Sequence, residues 1–278
     1  MKTIGIVDYY LSEYHANHYP EWIARASEEL GEDYRVAYAW AEREISPVDG
    51  VSTDEWCAKQ GALRCGSMEE LCERADCVMI LSPDDPDRHL PYAEKVLPHR
   101  KPTYIDKTFA PTLAEADAIF ALAGRCGAKF FSTSSLRYAE ELSGIGAPAH
   151  FSMVGDGWNI PVELIHLIEP AVIAMGAPAR RIRTERDGDG LIVELAYDGG
   201  RSARLLCRPH TAYAFEAKAA DGSRIAKTIA SDFFYRQTRA ILRFFSDGAL
   251  PFDPGQTREA IRLYEAAMRG TDGEWRDL

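Results

Sequence analysis

A lysine and a histidine in this sequence have the side-chain chemistry needed to move a proton to or from an oxygen. Lys107 directly follows the short apolar run PTYID, and His166 lies in the apolar stretch ELIHLIEPAVIAMG. A lysine at the carboxyl end of a parallel strand faces the crevice where open α/β sheets bind ligands. Histidine has an ordinary pKa near neutrality, which suits a general base. From residue type alone, a solvated lysine and a histidine paired within its helix are the simpler interpretations.

The first half of the chain alternates apolar runs typical of buried strands with helical stretches. Strands are predicted at 2–8, 34–40, 77–82, 102–106 and 129–134, and helices at 14–30, 53–61, 67–74, 91–99 and 112–127. Ser67 and Thr112 each precede a glutamate by three residues, which is the pattern of a capping box. The alternation predicts an α/β fold with an N-terminal Rossmann-type, doubly wound parallel sheet.

Beyond residue 145 the pattern changes. A helix is predicted at 161–175, two strand-like runs within 182–209 around the turn Asp198–Gly200, a third run near 211–219, and helices at 231–246 and 255–269. These elements predict a smaller C-terminal α+β domain with an antiparallel sheet. We place the boundary in the stretch Ser143–Pro148, which gives domains 1–143 and 144–278, with the last helices able to pack back on the first. The tail GTDGEWRDL is expected to be frayed.

Composition excludes several classes of partner. The formal net charge of -11 disfavours nucleic acid and anionic membrane surfaces. No apolar run approaches the roughly 20 residues that cross a bilayer, and the apolar N-terminal run is too short for a signal peptide. The six cysteines have neither CxxC pairs nor partnered histidines, so we expect reduced thiols, a cytoplasmic location and no metal site.

Several motifs in the chain resemble those of the Gfo/Idh/MocA family of sugar dehydrogenases. The segment 80–123 holds, in the family's order, Ser82-Pro83, His89, Lys101-Pro102, Asp106-Lys107-Thr108 and the run PTLAEA from Pro111 to Ala116. The similarity continues through SSLRYAEEL at 134–142, where the family has an arginine–aromatic pair, and through the stretches 163–176 and 241–254. It therefore spans most of the chain.

The resemblance implies an NAD- or NADP-dependent oxidoreductase that acts on a hydroxyl group of a sugar, inositol or related polyol. Lys107 and His166 occupy the places of the two residues that hold and deprotonate that hydroxyl. Arg137, Tyr138 and Glu163 are the implied substrate-binding residues. The implied cofactor-binding residues are Asp8, Tyr10, Ser12, Trp40, Ser82, Pro83, His89 and Asp106. A plain structural role fits His89 equally well. We also expect a homo-oligomer formed through the C-terminal sheet.

The departures from the family pattern lie mainly in the cofactor half. The loop from Asp8 to His15 contains no glycine, whereas a dinucleotide fold has glycines there so that the backbone can approach the pyrophosphate. Trp40 stands where an acidic residue would bind the ribose, with Glu42 two residues later as a substitute. Val162 replaces the family's aspartate, with Glu163 beside it, and Thr108 replaces a proline.

These departures leave two interpretations open. In the first, the protein is an NAD(P)-dependent oxidoreductase with an unusual loop. In the second, it is a redox-inactive homologue that binds a small polar ligand, carries out non-redox chemistry such as elimination, or acts as a structural partner. The missing glycines and the charge of Asp8 predict weak or absent dinucleotide affinity.

Overall fold

The computed structural model describes every residue from Met1 to Leu278. The strands are β1 Lys2–Asp8, β2 Tyr34–Ala41, β3 Leu63–Arg64, β4 Cys77–Ile80, β5 Thr103–Ile105, β6 Phe130–Ser132, β7 His150–Gly155, β8 Arg181–Asp187, β9 Gly190–Ala196, β10 Ser202–Cys207, β11 Ala214–Lys218, β12 Arg224–Thr228 and β13 Arg276–Asp277. The helices are α1 Tyr14–Leu30, α2 Thr53–Gln60, α3 Met68–Arg74, α4 His89–Val96, α5 Leu113–Cys126, α6 Ile160–Glu163, α7 Ile165–Met175, α8 Phe233–Asp247 and α9 Pro254–Arg269. None of these helices is both long enough and apolar enough to span a membrane.

The chain divides into two compact units. Unit 1 contains Met1–Thr133 and Phe234–Pro254, and unit 2 contains Ser134–Phe233 and Gly255–Leu278. The division at 133/134 precedes the boundary predicted within Ser143–Pro148, and that boundary stays a prediction. Residues 234–254, which hold most of α8, are grouped with the N-terminal half.

Unit 1 is built on a six-stranded parallel sheet with the order β3-β2-β1-β4-β5-β6. This is the strand order of a Rossmann fold, and it confirms the predicted doubly wound sheet. The central strands are continuous apolar runs because both faces of the sheet are covered. In β1, Ile4, Ile6 and Val7 are completely buried.

Helix α8 contributes to the core of unit 1. Ile241, Leu242 and Phe244 belong to the same buried cluster as residues of β1 and α1. The rings of Phe244 and Phe131 meet edge to face, with centroids 5.1 Å apart. The C-terminal part of the chain therefore completes the core that the N-terminal half begins.

Unit 2 is built on a seven-stranded sheet with the order β12-β11-β7-β10-β9-β8-β13. The sheet is mixed rather than purely antiparallel, because β7 pairs in parallel with β10. The region 182–209 holds three strands instead of two, since the chain also turns at Gly188 between β8 and β9. The sequence prediction also missed β7 and β12.

The C-terminal tail is not frayed as predicted. Arg276 and Asp277 form β13, which pairs with Ile182 and Arg181 of β8. The guanidinium of Arg181 lies over the ring of Trp275, 5.4 Å from its centroid. Backbone pairing and this cation–π contact together hold the tail on the edge of the sheet.

Candidate functional site

The topological switch point of unit 1 lies between β1 and β4, the place where ligands bind in open α/β sheets. The two strands pair in parallel, with Val7 opposite Ile80. Asp8 ends β1, Ser82 lies just beyond β4, and Lys107 follows β5. Most of the residues predicted to bind a cofactor therefore lie at or near the carboxyl ends of these strands.

Asp8 is buried at the end of β1 and holds the adjacent loop. Its Oδ1 accepts hydrogen bonds from the amides of Tyr9 at 2.7 Å and Ser82 at 3.0 Å. Its Oδ2 is buried and has no hydrogen-bond partner. Burial raises the pKa of Asp8 to about 8, although the two amide donors oppose that rise. Asp8 is thus an internal carboxyl group that is largely protonated at neutral pH.

The amino end of α1 is capped by the chain's own carboxyl group. Glu13 is the N-cap residue, and its side chain accepts hydrogen bonds from the amides of His15, at 2.6 Å, and of Ala16. Burial, followed by the nearby Asp8, raises the pKa of Glu13 well above its ordinary value. The first free amides of this helix are the groups that a Rossmann fold offers to a pyrophosphate. Because Glu13 already uses them, these residues do not fit a dinucleotide bound in that manner.

The other predicted cofactor residues near α1 bond to protein groups or pack on them. Ser12 donates a hydrogen bond from Oγ to Asp49 at 2.7 Å. Trp40 packs edge to face on Tyr92, with ring centroids 5.8 Å apart. Burial and the nearby Asp84 raise the pKa of Tyr10 to about 12.

Glu42, the possible substitute for the ribose-binding acid, is also engaged. Its carboxylate accepts a hydrogen bond from Arg88 at 2.9 Å and another from the hydroxyl of Tyr92 at 2.7 Å. Arg88 in turn lies over the ring of Tyr9, 4.6 Å from its centroid. A ribose would have to displace these contacts to reach the carboxylate.

The loop that follows β4 holds both a strained residue and an internal histidine. Ser82 has a left-handed backbone with φ 65°, and its Oγ accepts from the amide of Tyr9 at 3.0 Å. His89 begins α4 and is completely buried, with its ring nitrogens close to the carbonyl oxygens of Leu81 and Phe109. Burial lowers the pKa of His89. These contacts indicate a structural role for His89 within unit 1.

Lys107 and Asp106 form a polar group at the end of β5. The Lys107 side chain is buried, and its Nζ donates to the carbonyl of Pro83 at 3.3 Å. Asp106 accepts at Oδ1 from Tyr104 Oη, at 3.0 Å, and from the amide of Lys107, at 2.8 Å. Its Oδ2 pairs with Nδ1 of His15. Burial by itself would raise the pKa of Asp106, but His15 and Lys107 lower it, and the net pKa is below the ordinary value.

In unit 2, His166 lies in a polar cluster on the first turn of α7. Its Nδ1 is 2.7 Å from Oγ of Ser134, and its Nε2 is 3.9 Å from Oε2 of Glu163. Glu163 also accepts from Trp158 Nε1 and from Tyr213 Oη, each at 3.0 Å. Burial and Glu163 raise the pKa of Tyr213. The carboxylate that faces this histidine therefore belongs to Glu163, three residues before it in the chain. The aspartate of the family pattern would lie four residues before the histidine, where this chain has Val162.

Arg137 and Tyr138 lie on a short 3-10 turn of unit 2 and have different environments. Arg137 is paired with Glu169, Nε to Oε1 at 2.8 Å, and donates from Nη1 to Gln256 at 2.7 Å. Glu169 also accepts from the amide of Ser134. Tyr138 has a buried hydroxyl with no hydrogen-bond partner, and burial raises its pKa. Of the predicted pair, Tyr138 has the free polar atom, whereas Arg137 supports Ser134 through Glu169.

Three polar residues of these groups were missed by the sequence analysis. His15 lies in an aromatic-rich helix, and its partner Asp106 is 91 residues away. Tyr213 reaches Glu163 from a separation of 50 residues. Glu169 did carry a signal, since it is the one carboxylate residue in the otherwise apolar stretch of α7, three residues beyond His166.

Comparison with known proteins relates the chain to solved structures only. No protein-family model matches it, and no curated protein matches its sequence. A probable dehydrogenase from Thermotoga maritima superposes with a TM-score of 0.80 at 14% identity, covering 99% of this chain and 98% of the other. GenD2 from gentamicin A biosynthesis, solved in complex with NAD, has a TM-score of 0.78 at 13% identity, covering 100% and 97%.

A third similar structure is a UDP-N-acetylglucosamine 3-dehydrogenase, GnnA from Acidithiobacillus ferrooxidans. Its TM-score is 0.77 at 15% identity, with coverage of 96% of this chain and 99% of the other. At such identities the agreement establishes the fold, over essentially the full length of each protein. It confirms, for the fold, the resemblance that the motifs indicate. The chain has the fold of the Gfo/Idh/MocA oxidoreductases.

Proposed function

We propose that this protein acts on a hydroxyl group of a small sugar-like molecule, a sugar, inositol or related polyol. Lys107 and His166 are the proposed catalytic residues, Lys107 as a charged hydrogen-bond donor to a substrate oxygen and His166 as a general base. Glu163 orients the histidine directly, and Arg137 does so through Glu169 and Ser134. Tyr138 offers a hydroxyl group to the substrate.

The environment of His166 is the observation that carries this proposal. A general base needs an imidazole held in one orientation and a group that stabilises the imidazolium formed after proton transfer. Ser134 binds Nδ1 at 2.7 Å, and the carboxylate of Glu163 faces Nε2 at 3.9 Å. Trp158 and Tyr213 fix that carboxylate by hydrogen bonds. A histidine that served only to pack would not need a carboxylate held by two further donors.

Lys107 supports the same chemistry from unit 1. Its Nζ has one hydrogen bond to a protein group, the carbonyl of Pro83. An ammonium carries three donors, so two remain for an oxygen of the substrate. The hydroxyl of Thr108 beside it is buried without a partner and offers a further polar contact.

The fate of the substrate after deprotonation separates two forms of the proposal. In the oxidoreductase form, NAD or NADP accepts a hydride, and the structural similarity to GenD2 in complex with NAD supports that form. In the second form, the same residues catalyse a non-redox reaction such as elimination, or bind the ligand as a redox-inactive partner. The capping of α1 by Glu13 favours the second form, because it uses the amides that would bind the pyrophosphate.

The role of Lys107 and His166 can be tested by turnover of a panel of sugars, inositols and polyols, with NAD, with NADP and without either. Lys107→Ala and His166→Ala should each lower the rate by about 100-fold or more, which is the usual contribution of positioned proton-transfer groups. The matched controls are Lys95→Ala, whose exposed ammonium pairs with Glu69, and His150→Ala, whose Nδ1 bonds to Ser202. Both controls should retain the wild-type rate.

Wild-type activity that survives Lys107→Ala would contradict the assigned role of the lysine. Activity that needs NAD or NADP would establish the oxidoreductase form. Turnover that needs neither cofactor would establish the non-redox form, and a panel with binding but no turnover would leave the protein as a ligand-binding homologue.

Location and assembly complete the proposal. We expect a cytoplasmic protein, since all six cysteines are unpaired and five of them are buried. We also expect a homo-oligomer formed through the sheet of unit 2. Light scattering of the purified protein tests the assembly directly, since a monomeric mass at all concentrations would contradict it.

A further inference from the structure

His15 and Asp106 form a buried acid–imidazole pair in unit 1. His15 is the second residue of α1, and its Nδ1 lies within hydrogen-bond distance of Oδ2 of Asp106. The side chain of Asp106 is 1% exposed and that of His15 is 8% exposed. The second carboxylate oxygen of Asp106 is held by Tyr104 and by the amide of Lys107. The carboxylate is therefore fixed on both sides before it meets the imidazole.

The other ring nitrogen of His15, Nε2, forms no hydrogen bond with the protein. The rings of Tyr14, Tyr19 and Phe234 surround the imidazole, with centroids 5.6 to 6.1 Å away. Because aromatic faces do not bind the Nε2 proton as an oxygen would, Nε2 is the one polar atom of the ring without a hydrogen-bonding oxygen of the protein. It differs in this respect from His89, whose two nitrogens both face carbonyl oxygens.

We propose that His15, anchored by Asp106, is a proton-transfer residue at the carboxyl ends of the strands of unit 1. The hydrogen bond from Nδ1 to a carboxylate fixes the tautomer, so that Nε2 exchanges the proton. Acting as a base, Nε2 takes a proton from a hydroxyl or a water, and the imidazolium is stabilised by Asp106. Acting as an acid, it returns that proton to an oxygen of the ligand.

The titratable groups around His15 come from three places in the fold. Glu13 is the cap of the same helix, Asp106 and Lys107 follow β5, and Asp8 ends β1 beside Glu13. Burial by itself would lower the pKa of His15, but Asp106 raises it, and the net pKa lies above the ordinary value. Asp106 therefore favours the protonated form of His15, and the imidazole becomes a stronger base than a free histidine.

This inference goes beyond the proposed function, because it assigns chemistry to the strand ends where Rossmann folds otherwise hold a dinucleotide. It associates the loop without glycine with a proton-transfer function. Glu13 caps the helix that carries His15, and Asp106 joins His15 to the backbone of Lys107. The predicted cofactor ligand Asp106 thus becomes a positioning residue.

Hydrolysis of p-nitrophenyl acetate tests the proton-transfer capacity without knowledge of the natural ligand. In that reaction water attacks the ester carbonyl, its proton passes to Nε2, p-nitrophenolate leaves, and the imidazolium releases the proton to solvent. We expect His15→Gln to lower the protein-catalysed rate by about 10-fold or more. The control His18→Gln lies on the same helix, and the Nδ1 of His18 bonds only to the carbonyl of Tyr14. It should leave the rate unchanged.

The pH dependence tests Asp106 as the positioning residue. The rate should rise with pH through the pKa of His15, and Asp106→Asn should move that midpoint to lower pH, an effect that a merely structural carboxylate would not have. Equal rates for wild type and His15→Gln, or an unshifted midpoint in Asp106→Asn, would overturn the inference. Neither outcome bears on the sugar panel, since that test uses other substrates and other variants.

Nuclear magnetic resonance of the wild-type protein, labelled with ¹⁵N in histidine, provides a test that needs no variant. The His15 nitrogens should titrate with a midpoint above the ordinary histidine pKa of about 6.5, because Asp106 raises the pKa of His15. A midpoint at or below the ordinary value would also overturn the inference.

Discussion

The carboxyl group of Asp8 is buried, whereas an ionised carboxylate is stabilised by contact with water. It is 1% exposed, with one oxygen bound to two amides and the other without a partner. Its pKa is raised from 3.8 to about 8, mainly by burial. A carboxyl group whose pKa is higher in the folded than in the unfolded state makes the folded state less stable as the pH rises between those two values.

Replacing this carboxyl group should therefore stabilise the protein in alkaline solution. Asp8→Asn keeps an oxygen for the amides of Tyr9 and Ser82 and does not ionise. Its free energy of unfolding relative to wild type should increase from pH 4 to pH 8, by roughly 5 kcal/mol at most. Urea denaturation at a series of pH values measures the difference.

Asp76→Asn is the matched control for this prediction. The amide and hydroxyl of Thr3 bind the Asp76 carboxylate, at 2.8 and 2.9 Å, and the amide is the main cause of its lowered pKa. Its contribution to stability is present above the unfolded pKa and is lost as the pH falls. The control should therefore be destabilised at pH 7 and approach wild type near pH 3. Parallel stability curves for Asp8→Asn and wild type would contradict the role assigned to Asp8.

The place of a single residue in the fold could be predicted from the sequence only where its neighbours in the chain determine that place. Lys107 could be assigned to a strand end because an apolar run precedes it directly. The pair of His15 and Asp106 could not, because 91 residues separate them and only the strand order brings them together. The pKa of Asp8 depends on burial, which the sequence of the loop does not reveal.

Among the elements, β1 and α3 approach each other so closely that one position requires glycine. A Cβ atom on Gly5 would lie 2.4 Å from Cδ2 of Leu71 and 3.2 Å from Cβ of Ala75. Leu71 is completely buried, so its side chain has no free space into which to move. Gly5→Ala should therefore destabilise the protein by about 1–3 kcal/mol, the usual cost of overpacking.

Gly124→Ala supplies the control within α5. No atom lies within 4 Å of a Cβ built at that position, and alanine favours a helix over glycine by up to about 1 kcal/mol. The control should be neutral or stabilised in the same denaturation experiment. Equal stability of Gly5→Ala and wild type would show that the strand and helix are less tightly packed than described.

The elements of unit 1 were easier to predict than those of unit 2. Parallel strands buried on both faces are continuous apolar runs, and α2, α3 and α5 each carry a serine or threonine cap. In unit 2, all five residues of β12 are exposed, so no burial pattern marks the strand. Strand β13 has only two residues, and pairing with β8, rather than its own sequence, makes it a strand.

The molecule as a whole combines a Rossmann-type sheet with a loop after β1 that lacks the usual features of a dinucleotide site. The sheet order of unit 1 is that of a Rossmann fold, yet the loop after β1 has no glycine and the carboxyl group of Glu13 caps α1. A fold by itself does not determine function. The groups proposed for proton transfer are therefore present, whereas Glu13 occupies the amides of α1 that would bind a pyrophosphate.

Isothermal titration calorimetry with NAD, NADH, NADP and NADPH measures whether Glu13 prevents a dinucleotide from binding at the start of α1. The purified wild-type protein should bind none of the four with micromolar affinity, because Glu13 holds the amides of His15 and Ala16, and Tyr10 stands in the loop where a glycine would be. The double variant Tyr10→Gly with Glu13→Gly, which frees the amides and clears the loop, should bind at least one of them more tightly than wild type. Micromolar binding to the wild-type protein would contradict this expectation and establish an ordinary dinucleotide site.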